Sequence, residues 1–487
     1  MTISGLAALE ARVRKELALT AYPTARWVPP RPDPDGSGDR LLDVLVVGGG
    51  QAGQTIAFQL RQEGVDTVRV IDRAPAGLEG PWLTYARMRT LRSPKEVTGP
   101  DLGLPSLTFQ AWYEAQHGEA GWRDLGKISV ADWAAYLLWL REILDLPVEN
   151  EVCLQRIDAD GSLPVAHLRH GDGRVEMVRC RKLVLAHGIE ASGHWWTPPM
   201  IEAPEPSLWA HTSARIDFTG LRGKRVAVLG VGSSAMDNAA TALEAGASRV
   251  EVFCRRPELQ RVQPFKWLSF AGFFRHFHAL DDDMRWAFMR YLLTTREAFP
   301  KETWERCSRH EGFALQTSAP WLSVEAKAGG VEITTPKGLH QADFLIIGTG
   351  FEMDLKCRPE LEGLADKIAL WADRYTPAHG EENDRLSPYP YLDPGYRFQE
   401  KEPGQAPVLA NIHLFTYGTT MSFGPSGASI NAMKFSVPQV VAGITQDLFT
   451  EDAALHLAQL KAYQMPEFLL PGEDGTVEAP RVPAIER

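Results

Sequence analysis

Two hydrophobic periods alternate along the chain. LLDVLVVGG, from Leu41, is a short β-branched run ending in glycine, which predicts a buried parallel strand. QTIAFQLRQEG then spaces its apolar residues as a helix does, and VRVID returns to a strand, so the three form a βαβ unit. GKRVAVLGVG, AMDNAATALEAG and RVEVFCRRP repeat the strand, helix and strand order further on, and this is the one internal repeat. ISVADWAAYLLWLREIL predicts a helix with Ser129 as its N-cap. EVCLQRIDAD, VAHLRHGD and EMVRCRKLVLAHG predict three strands after it, and WLSVEAKAGGVEITTP and ADFLIIGTGF predict strands late in the chain. Residues 1–22 read as a charged amphipathic helix, AYPTARWVPPRPDPDGSGDR as an extended linker, and residues 80–126 as irregular. The chain beyond Pro438 reads as helix followed by a Pro-rich tail. The predicted fold class is therefore α/β with two dinucleotide-binding, Rossmann-like domains.

Each glycine turn carries its own chemistry. In the first, Gly48, Gly50 and Gly53, with Gln51 and Ala52 between them, fit GxGxxG after a strand and before a helix. Gly48 permits the tight turn, Gly50 admits a pyrophosphate to the backbone, and Gly53 lets the helix pack close. The helix N-terminus offers amide donors to phosphate. Asp72 ends the second strand 24 residues after Gly48, where a carboxylate accepts ribose hydroxyls, and Arg73 follows it. This site reads as FAD-binding. In the second, Gly230, Gly232, Ser233 and Ser234 lie in GxGxxA, and Arg255 and Arg256 stand where the first unit has its acid. Guanidinium groups there suit a ribose 2′-phosphate, so this site reads as NADPH-binding. The expected domains are 1–40 (helix and linker), 41–200 (first part of the FAD domain), 201–345 (NADPH domain inserted into the FAD domain) and 346–487 (return segment and tail). A helical insertion is expected at about 265–318, where FKWLSFAGFFRHFHALDDDMRWAFMRYLL is dense in aromatic residues.

Composition narrows the function classes. The 487 residues carry 51 Lys and Arg against 62 Asp and Glu, a net charge of 51 − 62 = −11, which argues against nucleic acid as a partner. The five cysteines lie at least 27 residues apart and form no CxxC, so neither a disulfide framework nor a zinc site is expected, and no metal. That spacing also argues against a flavin disulfide reductase. No signal peptide or apolar run of membrane-spanning length is present, and a cytoplasmic protein with no membrane partner is expected.

The order of these motifs over residues 41–445 resembles the class B flavoprotein monooxygenases: flavin-containing, Baeyer–Villiger and N-hydroxylating enzymes. Thr349, Gly350 and Phe351 look like the family's late ATG-type strand end, and Ala186-His187-Gly188 like an earlier copy of it. Trp82 in Gly80-Pro81-Trp82 resembles the GGxW segment near the flavin, and His211 the family's fingerprint histidine, although its flanking residues differ. Arg92, in RTLRSPKE, occupies the position of an active-site Asn. Arg92 and Lys95 are candidates to anchor a substrate carboxylate or the reduced nicotinamide. Gly427, with Gly424 and Ser429, resembles the family's C-terminal flavin-contacting stretch. The resemblance implies that NADPH reduces FAD and that a C4a-(hydro)peroxyflavin, formed with O₂, oxygenates a small-molecule substrate by N- or S-oxygenation or Baeyer–Villiger oxidation. The aromatic helical stretch would then shield the site from water. An NADPH oxidase or reductase without oxygen transfer, and a non-catalytic redox sensor, remain the alternative readings.

Overall fold

The computed structural model describes residues 5–34, 36, 38–202, 205–425, 429–468 and 470. The first sheet begins with β1 (Leu42–Val47), β2 (Val68–Ile71), β3 (Val148–Glu149), β4 (Val152–Asp160), β5 (Leu163–His170) and β6 (Val175–Leu185). A short strand, β7 (Gly193–Trp195), follows. The second sheet takes β8 (Trp209–His211), β9 (Arg225–Leu229), β10 (Arg249–Phe253) and β11 (Phe313–Gln316). A three-stranded antiparallel sheet, β12 (Ser323–Lys327), β13 (Gly330–Thr335) and β14 (Gly338–Ala342), precedes β15 (Phe344–Ile347), which returns to the second sheet. β16 (Phe351–Met353) pairs antiparallel with β7, and β17 (Ile412–Leu414) rejoins the first sheet beside β6.

The strand order is β3-β2-β1-β6-β5-β4 in the first sheet, with β17 on β6, and β11-β10-β9-β15-β8 in the second. β1 pairs parallel with β2 and with the second half of β6, whereas the first half of β6 pairs antiparallel with β5. One long strand thus serves a nucleotide-binding sheet and a β-meander. All pairings in the second sheet are parallel. Its strands come only from residues 209–347, between two visits of the chain to the first sheet.

Helix Gly5–Leu19, helix Gln51–Gln62 and helix Val130–Ile143 form where the apolar spacing predicts them. Ser129 Oγ accepts from the Asp132 amide at 3.0 Å, as an N-cap does. Two expectations need correction. Residues 80–126 contain the helix Phe109–Asp124, whose period is hidden by a break at Gly118 (φ 70°, ψ 171°). The stretch 265–318 is not wholly helical: after helices Pro264–Trp267, Ala271–His276, Asp282–Thr295 and Lys301–Ser308, Phe313–Gln316 is an edge strand on β10. An aromatic run and a four-residue strand look alike in sequence, and only the neighbouring strand separates them. Helix Met433–Glu451 begins before Pro438 and carries it inside. Among the described residues no helix is long and apolar enough to cross a membrane.

Charge enters the apolar part of β6 at two adjacent residues. Arg181 and Lys182 lie on the buried part of β6. Arg181 meets Asp452 at 2.8 Å and Glu451 at 2.9 Å, and donates to the Leu448 carbonyl at 3.3 Å. Lys182 meets Glu451 at 2.7 Å. The cations therefore sit at the C-terminal end of helix Met433–Glu451, where the helix dipole favours them.

β7 and β16 carry the chain out of the first sheet and back. Their backbones are so close that a Cβ on Gly193 would stand 2.0 Å from the Glu352 carbonyl oxygen. Gly193→Ala is expected to push the strands apart and to cost about 1–3 kcal/mol. In a thermal melt this lowers the midpoint by about 1 °C per kcal/mol, since the unfolding entropy is about 2.1 cal/mol/K per residue. An unchanged melt would contradict the close crossing.

Candidate nucleotide sites and the cleft between them

Parallel strands place their glycine turns at one edge of each sheet, which is where α/β sheets bind ligands. At the first turn Gly48 has φ +109°, and a Cβ there would meet the Ala186 carbonyl oxygen at 2.5 Å. A Cβ on Gly53 would meet the Gly48 carbonyl oxygen at 1.8 Å. A Cβ on Gly50, by contrast, would meet nothing within 4 Å. The first and third glycines are thus required by the protein's own packing, and the middle one faces open space. No side chain caps helix Gln51–Gln62. Its first amides and the space before Gly50 fit a dinucleotide pyrophosphate.

Asp72 is brought to the same turn. Its carboxylate accepts from the Gly49 amide at 2.8 Å and from the Ala74 amide at 2.7 Å. Burial raises its pKa, and the two amides oppose that shift. Gln51 Oε1 accepts from Trp133 Nε1 at 3.2 Å, and Trp82 packs edge-on against Trp133. Ala52 packs against the core of the first sheet. Arg73 points away from the turn in its bonding, to Glu190 at 2.7 Å.

The second turn repeats this arrangement. Gly230 has φ +106°, and its added Cβ would meet the Gly348 carbonyl oxygen at 2.4 Å, whereas one on Gly232 would meet nothing within 4 Å. Helix Ser233–Glu244 has no side-chain cap. Ser233 Oγ is buried without a hydrogen-bond partner, a donor free for a phosphate oxygen. Ser234 is exposed, and its carbonyl accepts from Asn238 Nδ2 at 2.8 Å. The two arginines after β10 part company. Arg255 is exposed and has no ion pair or hydrogen bond among the described residues. Arg256 donates to the carbonyls of Thr294 at 2.9 Å and Thr295 at 3.2 Å, at the C-terminal end of helix Asp282–Thr295.

The crossing strands join the two edges. β7 begins eight residues after β6 ends, and β16 begins four residues after β15 ends. Trp196 N donates to the Gly350 carbonyl at 3.0 Å, and Asp354 N to the Ser192 carbonyl at 3.1 Å. Thr349 Oγ1 donates to the Trp196 carbonyl. Gly350 has φ +91°, with open space where a Cβ would be. Rings run across this junction: Tyr85 on Trp195, Trp195 on His211 and on Phe351, and Phe351 on Tyr417. These contacts tie the end of β8 to the crossing strands and to the return segment. Among the described residues the aromatic helices pack against the return segment in a separate core, with Phe351 and Tyr417 at its margin.

His211 ends β8 in this junction. Its Nδ1 lies 3.2 Å from the Ser213 amide and 2.8 Å from Ser213 Oγ, and its Nε2 is buried. Burial pulls its pKa down to about 4, and the Gly350 backbone offsets only part of that. Arg92 reaches across to Asp237 and to Glu297, each at 3.5 Å. Lys95 is drawn off: its Nζ donates to the Trp122 carbonyl at 2.7 Å and lies over the Trp122 ring. It closes the C-terminal end of helix Phe109–Asp124 and does not join Arg92. Gly427 lies outside the described residues.

The sequence reading passed over Tyr85, Trp195, Asp237, Arg296 and Tyr417. Asp237 carried a signal, as a lone acid among the small residues of AMDNAATAL. The aromatic residues carried none, because Tyr85 meets Trp195, Trp195 meets Phe351 and Phe351 meets Tyr417 only once distant segments are folded together.

Comparison with known proteins agrees with this geometry. A family described as pyridine nucleotide-disulphide oxidoreductase matches residues 42–268. All five cysteines here are free, so no disulfide accompanies that match. Ornithine hydroxylase from Pseudomonas aeruginosa covers 84% of this chain and 100% of its own at 18% identity, with a TM-score of 0.65. L-lysine 6-monooxygenase from Pseudomonas syringae covers 83% and 99% at 19% identity, with a TM-score of 0.64. These two share the fold. The FAD-dependent urate hydroxylase of Xanthomonas campestris pv. campestris is 41% identical over 465 residues, 95% of this chain and 97% of that one. With that identity over nearly its whole length, and with two open glycine turns on one chain, this protein belongs to the FAD-dependent hydroxylases of the class B flavoprotein monooxygenase family.

Proposed function

We propose that this chain is an FAD- and NADPH-dependent monooxygenase that hydroxylates a small, anionic nitrogen heterocycle of the urate class. The observation that carries the reading is the pair of open, uncapped helix N-termini at Gly50 and Gly232, on sheet edges joined by the β7–β16 crossing. FAD, when bound, supplies the redox and oxygen chemistry. The chain's own residues bind and orient. Asp72 stands where the ribose of FAD is recognised, and Arg255 where the 2′-phosphate of NADPH is met. His211, neutral above a pH of about 4, adds no charge to the cleft. The aromatic core of the helical stretch keeps water from one side of it.

The substrate class rests on the 41% identical urate hydroxylase and on one further side chain. Arg296 follows helix Asp282–Thr295 at φ 66°, beside Tyr389 and Tyr417. It has no carboxylate partner or hydrogen bond from its guanidinium among the described residues. Desolvation lowers its pKa, and Tyr417 offsets part of that shift. A cation held without a counter-ion suits an anionic ring. The flavin disulfide reductase reading finds no support, since Cys254 and Cys307 are buried, free thiols and burial pushes that of Cys307 up to about 12.

Four outcomes test these assignments. Gly50→Val is expected to leave the fold intact, since its Cβ has open space, yet to yield protein that binds no FAD. Flavin absorbance after incubation with FAD reads this directly, and a yellow, folded variant would contradict the site. Arg255→Gln is expected to weaken NADPH about 10- to 100-fold, the worth of a charge-assisted contact, and to leave NADH unaffected. Equal use of both nucleotides by the unmutated protein would overturn the assignment. With urate, labelled O₂ should place one labelled oxygen atom in the product. Arg296→Gln should raise KM about 10-fold or more while leaving FAD content unchanged. NADPH consumption that yields only hydrogen peroxide with urate and related heterocycles would refute this substrate class.

A further inference from the structure

A buried ionic seam runs between the first domain and the second nucleotide turn. Asp237 lies on helix Ser233–Glu244 and is 2% exposed. Three groups converge on its carboxylate. Thr303 Oγ1 donates to Oδ1 at 2.9 Å, Arg306 Nη1 to Oδ1 at 3.3 Å, and Arg92 Nη2 approaches Oδ2 at 3.5 Å. Thr303 and Arg306 belong to helix Lys301–Ser308, on the second-domain side, and Arg92 comes from the first domain. Arg306 extends the link: the same Nη1 donates to the Arg87 carbonyl at 3.3 Å, and its other nitrogens grip Glu244 at 3.0 Å. Arg89, from the first domain, meets Glu244 at 2.9 Å. Lys127 pairs with Glu302 at the rim.

Such a seam is an expensive way to gain stability, because burying charges costs about what their pairing returns. Its value lies in direction and placement. Asp237 is four residues, about 6 Å, along the helix from Ser233. The helix is rigid on that scale, so whatever holds Asp237 also places the turn at Gly230–Ser233. Hydride transfer between two bound nucleotides tolerates little misplacement, and a 1 Å error costs on the order of 100-fold. Burial raises the Asp237 pKa, while Arg92, Thr303 and Arg306 oppose the rise and favour the carboxylate.

We propose that Asp237 and Arg92 are positioning residues, which lock the NADPH-binding turn in register with the FAD-binding turn by pairing across the two domains. The proposal rests on the reading that both turns hold dinucleotides. It assigns Arg92 a partner in the protein in place of a contact with substrate.

The test uses the FAD-loaded protein and the variants Asp237→Asn, Arg92→Gln, Arg92→Lys and the double variant Asp237→Asn/Arg92→Gln. Two readouts are taken: amide hydrogen exchange over residues 87–92 and 230–240 without NADPH, and anaerobic flavin reduction by NADPH and by dithionite. In Asp237→Asn, exchange should rise in both segments. The limiting rate of reduction by NADPH should fall about 10- to 100-fold. NADPH affinity and reduction by dithionite should hardly change. Arg92→Gln should do the same, Arg92→Lys should recover part of the rate, and the double variant should be no worse than either single one. An unchanged rate with unchanged exchange would overturn the proposal. So would additive losses, which would mean that Arg92 acts at the flavin or substrate independently of Asp237. If Asp237→Asn does not fold, Arg92→Gln carries the test, because Arg92 is half-exposed and its loss leaves the core intact. If NADPH fails to reduce even the unmutated protein, the second turn is not an NADPH site. Hydrogen exchange then still decides whether the seam holds the turn.

Discussion

Everything in this molecule depends on two strands of three residues that pass each other at backbone distance. Gly193–Trp195 leads out of the first sheet and Phe351–Met353 leads back, and they pair antiparallel. A sheet whose strands come from residues 209–347, between two visits of the chain to the first sheet, must be entered and left near the same place. Pairing the outgoing and returning strands satisfies their amides and carbonyls at that junction, where unpaired groups would be costly. It also ties the segments that follow β6 and β15, the strands beside those that carry the glycine turns. Gly193 is needed for closeness alone: its φ of 168° is ordinary extended backbone, but the Glu352 carbonyl leaves no room for a Cβ.

The two turns show how one motif divides its glycines between folding and binding. Gly48 and Gly53, like Gly230, stand against neighbouring backbone, and a side chain there would break the packing of strand on helix. Gly50 and Gly232 face nothing in the protein. The space they keep clear is the one the proposed dinucleotide pyrophosphates require. The structure therefore separates residues that the motif alone groups together, and it does the same for Arg255 and Arg256, one open and the other holding a helix end.

Buried charge is placed with the same economy. Arg181 and Lys182 interrupt the apolar part of β6 and are answered by Glu451, Asp452 and Asp447 at the end of a distant helix. Asp237 interrupts a helix of small residues and is answered from two other elements. Each of these groups fixes an element in orientation as well as in place, because a charge pair has a direction that apolar contact lacks.

The sequence alone determined the elements and the chemistry of the turns. LLDVLVV, RVAVL and the helices after them follow from apolar period, and the glycine spacing from the steric demands of a dinucleotide turn. These are local properties, set by residues within about thirty positions of one another. Resemblance extended them to the family. The tertiary structure decided which candidates act together. It drew Lys95 to the Trp122 carbonyl and Arg73 to Glu190, turned Arg92 toward Asp237, and seated His211 against Trp195 with its pKa lowered by burial. It also made an edge strand of Phe313–Gln316 and revealed the helix broken at Gly118. The physical reason is that a side chain's partner, burial and charge state depend on atoms brought close by the tertiary fold, for Arg73 and Arg92 from more than a hundred residues away, and the local hydrophobic period does not encode them.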